Sequence, residues 1–324
     1  MLINEIIDEE FKKASEYWRD LKSDEGAHFD KTIEFDVSKP DGNPRKLLDS
    51  GIDMANLKNI NGIGHRENGK IVLNTPESVV PQSRMDIDLP GYAWDLLPIK
   101  KTPLDLYRYH VLHANFNESI RTPYAAIYTS LGCVFGCDFC MINIVNRTDN
   151  SENISSGNSR VMRFWSVEWV LRQFQILREL GVSTIRISDE MFLLNHNYYE
   201  PICRGLVERD YGLHMWAYSR IDTARGKFLD LVSASGIKWL ALGIESGEKS
   251  VRLEVDKGKF EDVDVKKVIN KVHEAGINVM ANYIYGLPGD TKETVKKTFD
   301  LSLELCTAGW NTYGAMALPG SCLL

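Results

Sequence analysis

AAIYTSLGCVFGCDFC, residues 125–140, runs a short apolar segment straight into three cysteines, Cys133, Cys137 and Cys140. The alternating small, branched and aromatic residues of AAIYTS (125–130) read as a strand. The C-x3-C-x2-C spacing that follows lets one loop wrap three thiolates around a metal or a cluster. Structural zinc takes four closed ligands, and ordinary iron–sulfur clusters take four cysteines. Three thiolates leave one coordination position open, and an open position binds a substrate or a cofactor.

Downstream, the strand pattern recurs five times. STIRIS (183–188), LHMWAYS (213–219), KWLALGI (238–244), NVMANYIYG (278–286) and TYGAMAL (312–318) all read as strands. Between them lie helical periodicities. Val167, Val170, Leu171, Phe174, Leu177 and Leu180 follow the N-cap residue Ser166, and Val265, Val268, Ile269 and Val272 precede Ala275-Gly276. A further helix is expected to open at Asp290, with Glu293 completing a capping box, and to bury Val295, Phe299, Leu303 and Cys306. Six β/α repeats without a final helix demand a parallel sheet covered by helices, either open or curled into a barrel.

Each predicted strand ends in residues capable of chemistry. After the cysteine loop come Ser188-Asp189-Glu190, Ser219-Arg220, Glu245-Ser246-Gly247, GLPGDT (286–291) and Pro319-Gly320-Ser321. In a parallel barrel these ends share one rim, where barrel active sites are built.

The three cysteines with Phe139, on the loop after the first strand of a six-fold β/α series, resemble the radical S-adenosylmethionine (SAM) superfamily. WAYSRIDTA, LALGIESG, YIYGLPGDTKET and MALPGS further resemble the branch often fused to an N-terminal cobalamin-binding domain. The resemblance covers about 120–324. It implies an α/β fold, a partial (βα)6 TIM-like barrel. It also implies a 4Fe-4S cluster on Cys133, Cys137 and Cys140, with SAM chelated to the remaining iron and cleaved to a 5′-deoxyadenosyl radical. By the same resemblance Asp189 and Glu190 meet the SAM ammonium, Ser219 and Arg220 reach its ribose or carboxylate, and Glu245 and Gly286 line the rest of the pocket. Methyl transfer and carbon-skeleton modification both suit the branch. The implied partners are an electron donor such as flavodoxin or ferredoxin and a small-molecule or saccharide-type substrate. No D-x-H-x-x-G appears, so cobalamin use is compatible with the branch but supported by no motif.

Other readings stay open at this stage. The thiols are also compatible with structural zinc completed by His196 or Cys203, in a non-catalytic remnant. Asp189 and Glu190 suit a helix N-terminus, Arg220 a structural ion pair, and Glu245 a strand end satisfied by loop amides. Cys203, Cys306 and Cys322 sit in apolar or terminal surroundings and read as inert.

The remaining sequence sets the context. The chain has 324 residues, 44% of them hydrophobic and 26% charged, with a formal charge of −7 and no basic block, which gives no electrostatic case for nucleic acid. No apolar run approaches the roughly 18 residues of a membrane span. The acidic start MLINEIIDEEFKK lacks a basic region followed by an apolar one, so no signal peptide is expected, and a cytoplasmic, thiol-reducing setting follows. Residues 1–55 read as an irregular N-terminal extension, 56–119 as a linker region and 120–324 as the core. FDVSKPDGNPRKLLD (35–49) resembles a C-terminal piece of nucleotide-sugar epimerases and reductases of the fucose-synthase type, as a fusion remnant would. The series stops at SCLL just after the sixth strand, so a C-terminally truncated barrel is expected.

Overall fold

The structure, a computed structural model, describes residues 64–67, 70–75, 79–94, 97, 123–145, 161–224, 226–255, 263–305, 307–318 and 321–323. The proposed extension 1–55, most of the linker, Cys306 and Pro319-Gly320 lie outside the described residues. The chain divides into two compact units, Met1–Thr75 and Pro76–Leu324. What is described of the first is an antiparallel hairpin of β1 (Gly64–Glu67) and β2 (Lys70–Leu73).

In the second unit, after a single helical turn α1 (Met85–Asp88), six parallel strands curl into a half-barrel. They are β3 (Tyr124–Ile127), β6 (Thr184–Ile187), β7 (His214–Arg220), β8 (Ile237–Glu245), β9 (Asn278–Tyr285) and β10 (Gly309–Gly314), neighbours in that order. Two short antiparallel strands, β4 (Ser130–Gly132) and β5 (Met162–Phe164), bracket the cysteine loop. The single helical turn α2 (Ile142–Val145) follows the cysteines. The covering helices are α3 (Val167–Glu179), α4 (His196–Arg209), α5 (Leu229–Ala234), α6 (Lys249–Val255), α7 (Val265–Glu274) and α8 (Lys292–Leu305).

The helices form where the periodicity predicts. Ser166 caps α3 by accepting from the Trp169 amide at 3.1 Å, and Asp264 caps α7 by accepting from Lys267 at 3.0 Å. Their apolar faces, including Phe174, Leu177, Ile269 and Val272, are buried against Ile185, Ile187, Leu240, Leu242, Val279 and Ala281 of the sheet. Successive strand side chains alternate faces. The opposite face therefore looks into the half-barrel, where Trp216, Trp239, Ala241 and Met280 pack together.

Three local expectations are corrected. The first strand ends at Ile127 rather than at residue 130, and Ser130 begins β4 outside the main sheet. The sixth lies at Gly309–Gly314, earlier than 312–318. In α8 the capping pair is Thr291 and Thr294, each hydroxyl accepting from the other's amide (3.3 and 2.7 Å). The helix also turns a different face inward. Thr298 and Ser302 are buried, whereas Phe299 is 46% and Leu303 58% exposed. The reason is the rim loop after β8. Gly247 approaches the α8 backbone so closely that a Cβ there would sit 2.7 Å from the Lys297 carbonyl, and its amide donates to Thr298 Oγ1 at 2.8 Å. A bulky apolar side chain at 298 would block that contact, so the polar stripe faces in.

Ile269→Ala, emptying a site 1% exposed, should cost about 2–5 kcal/mol of unfolding free energy. Phe299→Ser should cost less than about 1 kcal/mol. Urea unfolding of the two variants checks the assignment, and an equal loss would refute the observed orientation of α8.

Candidate active site

The cysteine loop starts where Asp189 turns the chain. This carboxylate is 1% exposed and accepts from the Thr129 amide, Thr129 Oγ1 and Ser130 Oγ, each at 2.6 Å. Those bonds pull residues 129–130 off the line of β3 and start β4 above the rim. Burial pushes the Asp189 carboxyl up, while the hydroxyls and amides hold it down.

Two aromatic residues of the loop then fix its course. Phe139 packs into the apolar cluster of Val251, Val255 and Leu287, and the neighbouring Asp138 amide donates to the Val255 carbonyl at 2.9 Å. Phe135 lies under the Arg220 guanidinium, whose carbon stands 3.5 Å from the ring centroid. Arg220, on the inner face at the end of β7, is forked on Asp222 through Nε (2.7 Å) and Nη2 (2.5 Å), both side chains being 5% exposed.

Cys133 is buried, and Cys137 and Cys140 are half-buried. Burial pushes the Cys133 thiol up to about 11 and raises Cys140 as well. Both thiols feel the charge of Glu190; Cys133 also feels Arg220, and Cys140 feels Glu245. The structure therefore brings Cys133, Cys140, Glu190, Arg220 and Glu245 to one place on the rim. No three Cys, His, Asp or Glu side chains among the described residues converge tightly enough to hold a single metal ion.

The neighbouring acids Asp189 and Glu190 are divided by the fold. Asp189 is spent on the backbone turn, whereas Glu190 Oε2 is buried without a hydrogen-bond partner. Burial, with Asp189 adding, raises the Glu190 carboxyl to about 7 against backbone amides and Arg163. Glu245 sits in a β-bulge with φ of 65°, and its carboxylate folds back over Gly243 on the inner face, where a Cβ would collide with it. Gly286, φ 81°, donates its amide to Asp290 at 2.9 Å and has open space where a side chain would project. Ser219 turns the other way: its hydroxyl accepts from the Leu193 amide at 3.3 Å and meets Thr223 Oγ1 at 2.7 Å, tying two rim loops together. Sequence reasoning missed Phe135 and Arg163. Phe135 lies between the first two cysteines, but only the tertiary fold brings Arg220 over its ring.

A parallel half-barrel with a three-cysteine loop and an unsatisfied carboxylate oxygen on its rim defines a class of cofactor-binding α/β proteins. Residues 127–302 match the Radical SAM superfamily, and the chain belongs to that superfamily. It is 28% identical over 264 residues to an uncharacterized methyltransferase of Pyrococcus horikoshii, covering 81% of this chain and 50% of that protein. The fold resembles the radical SAM methyltransferase TsrM from Kitasatospora setae, solved with cobalamin and a [4Fe-4S] cluster (TM-score 0.53, 20% identity, 62% of this chain and 38% of that one). It also resembles OxsB, a cobalamin-dependent SAM radical enzyme (TM-score 0.54, 21% identity, 79% of this chain and 33% of that one). The chain thus spans half the length of the first relative and a smaller share of the solved structures. No helix among the described residues is long and apolar enough to cross a membrane.

Asp189→Ala strands three buried donors, at a cost of about 2–4 kcal/mol in urea unfolding; a loss below about 1 kcal/mol would deny Asp189 the role of tying the turn. Glu190 binds its proton more tightly folded than unfolded, so its contribution is complete below about pH 4.5 and is lost as pH rises through about 7. The cluster-free chain should lose about 2–3 kcal/mol of stability across that window, and Glu190→Gln should flatten the slope. Equal slopes in the two proteins would refute the raised carboxyl.

Proposed function

We propose that this chain is a radical SAM enzyme that holds a 4Fe-4S cluster through Cys133, Cys137 and Cys140 and binds SAM at the open iron. The observation that carries the reading is the unpaired Glu190 Oε2, buried among the cysteine thiols. An acceptor oxygen buried without a hydrogen-bond partner is costly, and the ammonium of SAM is a partner of the right charge and hydrogen-bonding capacity. A cluster held by these three thiolates would supply the single electron for reductive cleavage of SAM.

The protein's own residues bind, orient and exclude water. Glu190 accepts from the ammonium, and that contact drives its proton off, because a neighbouring cation favours the charged carboxylate. Asp189 keeps the cysteine loop in register. Phe139 closes the gap between the loop and Leu287, which keeps water from the reacting end of the pocket. The open backbone at Gly286 admits the adenosine, and Glu245 borders the thiols on the far side. Arg220 is forked on Asp222 and carries Phe135, and its part is to position the loop. The buried thiols must give up their protons to ligate iron, which links assembly to pH.

Methyl transfer is the reaction class we favour, because the relative from Pyrococcus horikoshii and TsrM are both described as methyltransferases. The electron comes from a donor of the flavodoxin or ferredoxin type, and the substrate is a small molecule, saccharide-type substrates included. Cobalamin, present in the TsrM and OxsB structures, is the candidate methyl carrier.

Anaerobic reconstitution should give four irons and four sulfides per chain. SAM should alter the cluster's spectrum, and a reductant should yield 5′-deoxyadenosine. Cys137→Ala should assemble no cluster, and Glu190→Gln should weaken SAM about tenfold or more. Zinc as the sole bound metal, or a SAM-responsive cluster in Cys137→Ala, would overturn the assignment.

A further inference from the structure

A cavity of about 420 Å³ lies between the first turn of α4 and the loop from β7 to α5. Leu193 and Tyr199, which line it, belong to the helix-side core, and Phe228, which also lines it, packs against that core. None of the three cysteines, Glu190, Arg220 or Glu245 lines it. The cavity is therefore separate from the cofactor site.

Phe228 gathers two nitrogen-bearing side chains here. The His196 ring stacks on it with centroids 5.7 Å apart and planes at 12°, and Lys227 Nζ stands 5.4 Å from its centroid. Among the described residues no carboxylate lines the cavity, and none pairs with Lys227 or His196. In a chain of formal charge −7, that local excess of donors over acids needs an anion from outside.

The helix beside the cavity is uncompensated in the same sense. α4 has fourteen residues and no acid in its first turn, and its N-cap residue Asn195 makes no side-chain cap bond. The His196 and Asn197 amides lie in the turn whose donors have no intrahelical acceptor, at the positive end of the helix dipole. A feature independent of the helix end points to the same ligand. Tyr199 is 5% exposed, yet its hydroxyl has no hydrogen-bond partner among the described residues. Burial pushes this phenol up to about 12, so it stays protonated and able to donate. Ammonium, imidazole, phenol and backbone amides are all donors, whereas Thr223 Oγ1 is engaged by the Arg220 carbonyl and Ser219.

We propose that this cavity is a second ligand site and that it takes a phosphate monoester with an apolar body. The phosphoryl oxygens accept from Lys227, His196, the Tyr199 hydroxyl and the first-turn amides of α4, and the apolar body lies against Leu194 and Phe228. A phosphoryl group offers three acceptor oxygens and a charge near −2, which suits a donor set of this size at a helix N-terminus. The inference goes beyond the radical SAM reading and needs neither cluster nor SAM, so its failure leaves that reading untouched.

The test uses the full chain. Limited acetylation followed by mass spectrometry compares Lys227 with the exposed Lys296 in the presence of phenyl phosphate, inorganic phosphate or neutral benzyl alcohol at matched ionic strength. Phenyl phosphate should slow Lys227 saturably by more than about fivefold without affecting Lys296, and benzyl alcohol should slow it by less than about twofold. Inorganic phosphate should protect only at about tenfold higher concentration, because it lacks the apolar contacts. Calorimetric titration with phenyl phosphate should weaken about tenfold or more in Lys227→Glu and about threefold or more in Tyr199→Phe, with Lys296→Glu unchanged. No protection of Lys227, equal protection by the alcohol or by inorganic phosphate, or undiminished binding in either variant would overturn the proposal.

Discussion

One buried carboxylate organises the functional end of this molecule. Asp189, just past the end of the second barrel strand, accepts three hydrogen bonds from Thr129 and Ser130, and so turns the chain out of the sheet before the cysteines begin. Without that turn, β3 would run straight on and carry Cys133 away from Glu190. The hub also explains why two adjacent acids behave so differently. The same strand end gives one carboxylate to the architecture and leaves the next with one oxygen, Oε2, buried without a hydrogen-bond partner.

The loop is then held by packing rather than by its own secondary structure. Phe139 seats it against α6 and the loop after β9, and Phe135 seats it on Arg220, which Asp222 holds in place. Each of the first five barrel strands therefore contributes to the rim through a different interaction: a hydrogen-bonded turn, an unpaired acid, a forked ion pair, a bulge and an open glycine. Below that rim the strand alternation separates two interiors. The helix side is the large close-packed core of aliphatic and aromatic side chains, and the concave side holds the smaller cluster of Trp216, Trp239, Ala241 and Met280.

Much of this was legible in the residues. Period-two runs alternating with helical ones announce a parallel sheet, and the N-caps Ser166 and Asp264 do locally what their type predicts. The cysteines and the polar or glycine-rich residues after each of the first five strands lie, as expected from the parallel order, at one end of the sheet. Where local reasoning failed, a long-range contact had overruled it. Phe299 and Leu303 have helical spacing, yet α8 buries Thr298 and Ser302 because Gly247 comes against its backbone from a segment some fifty residues earlier. The first strand stops short because an acid sixty residues later claims its donors.

The sequence by itself determined the class of fold and the place of the three cysteines after its first strand, since these depend on periodicity and spacing along the chain. Tertiary structure alone decided their division of labour. It engaged Asp189, Ser219 and Arg220 in internal contacts and left one oxygen of Glu190, Oε2, without a hydrogen-bond partner. Burial and pairing depend on what arrives from elsewhere in the chain, and residue type and spacing carry no record of that.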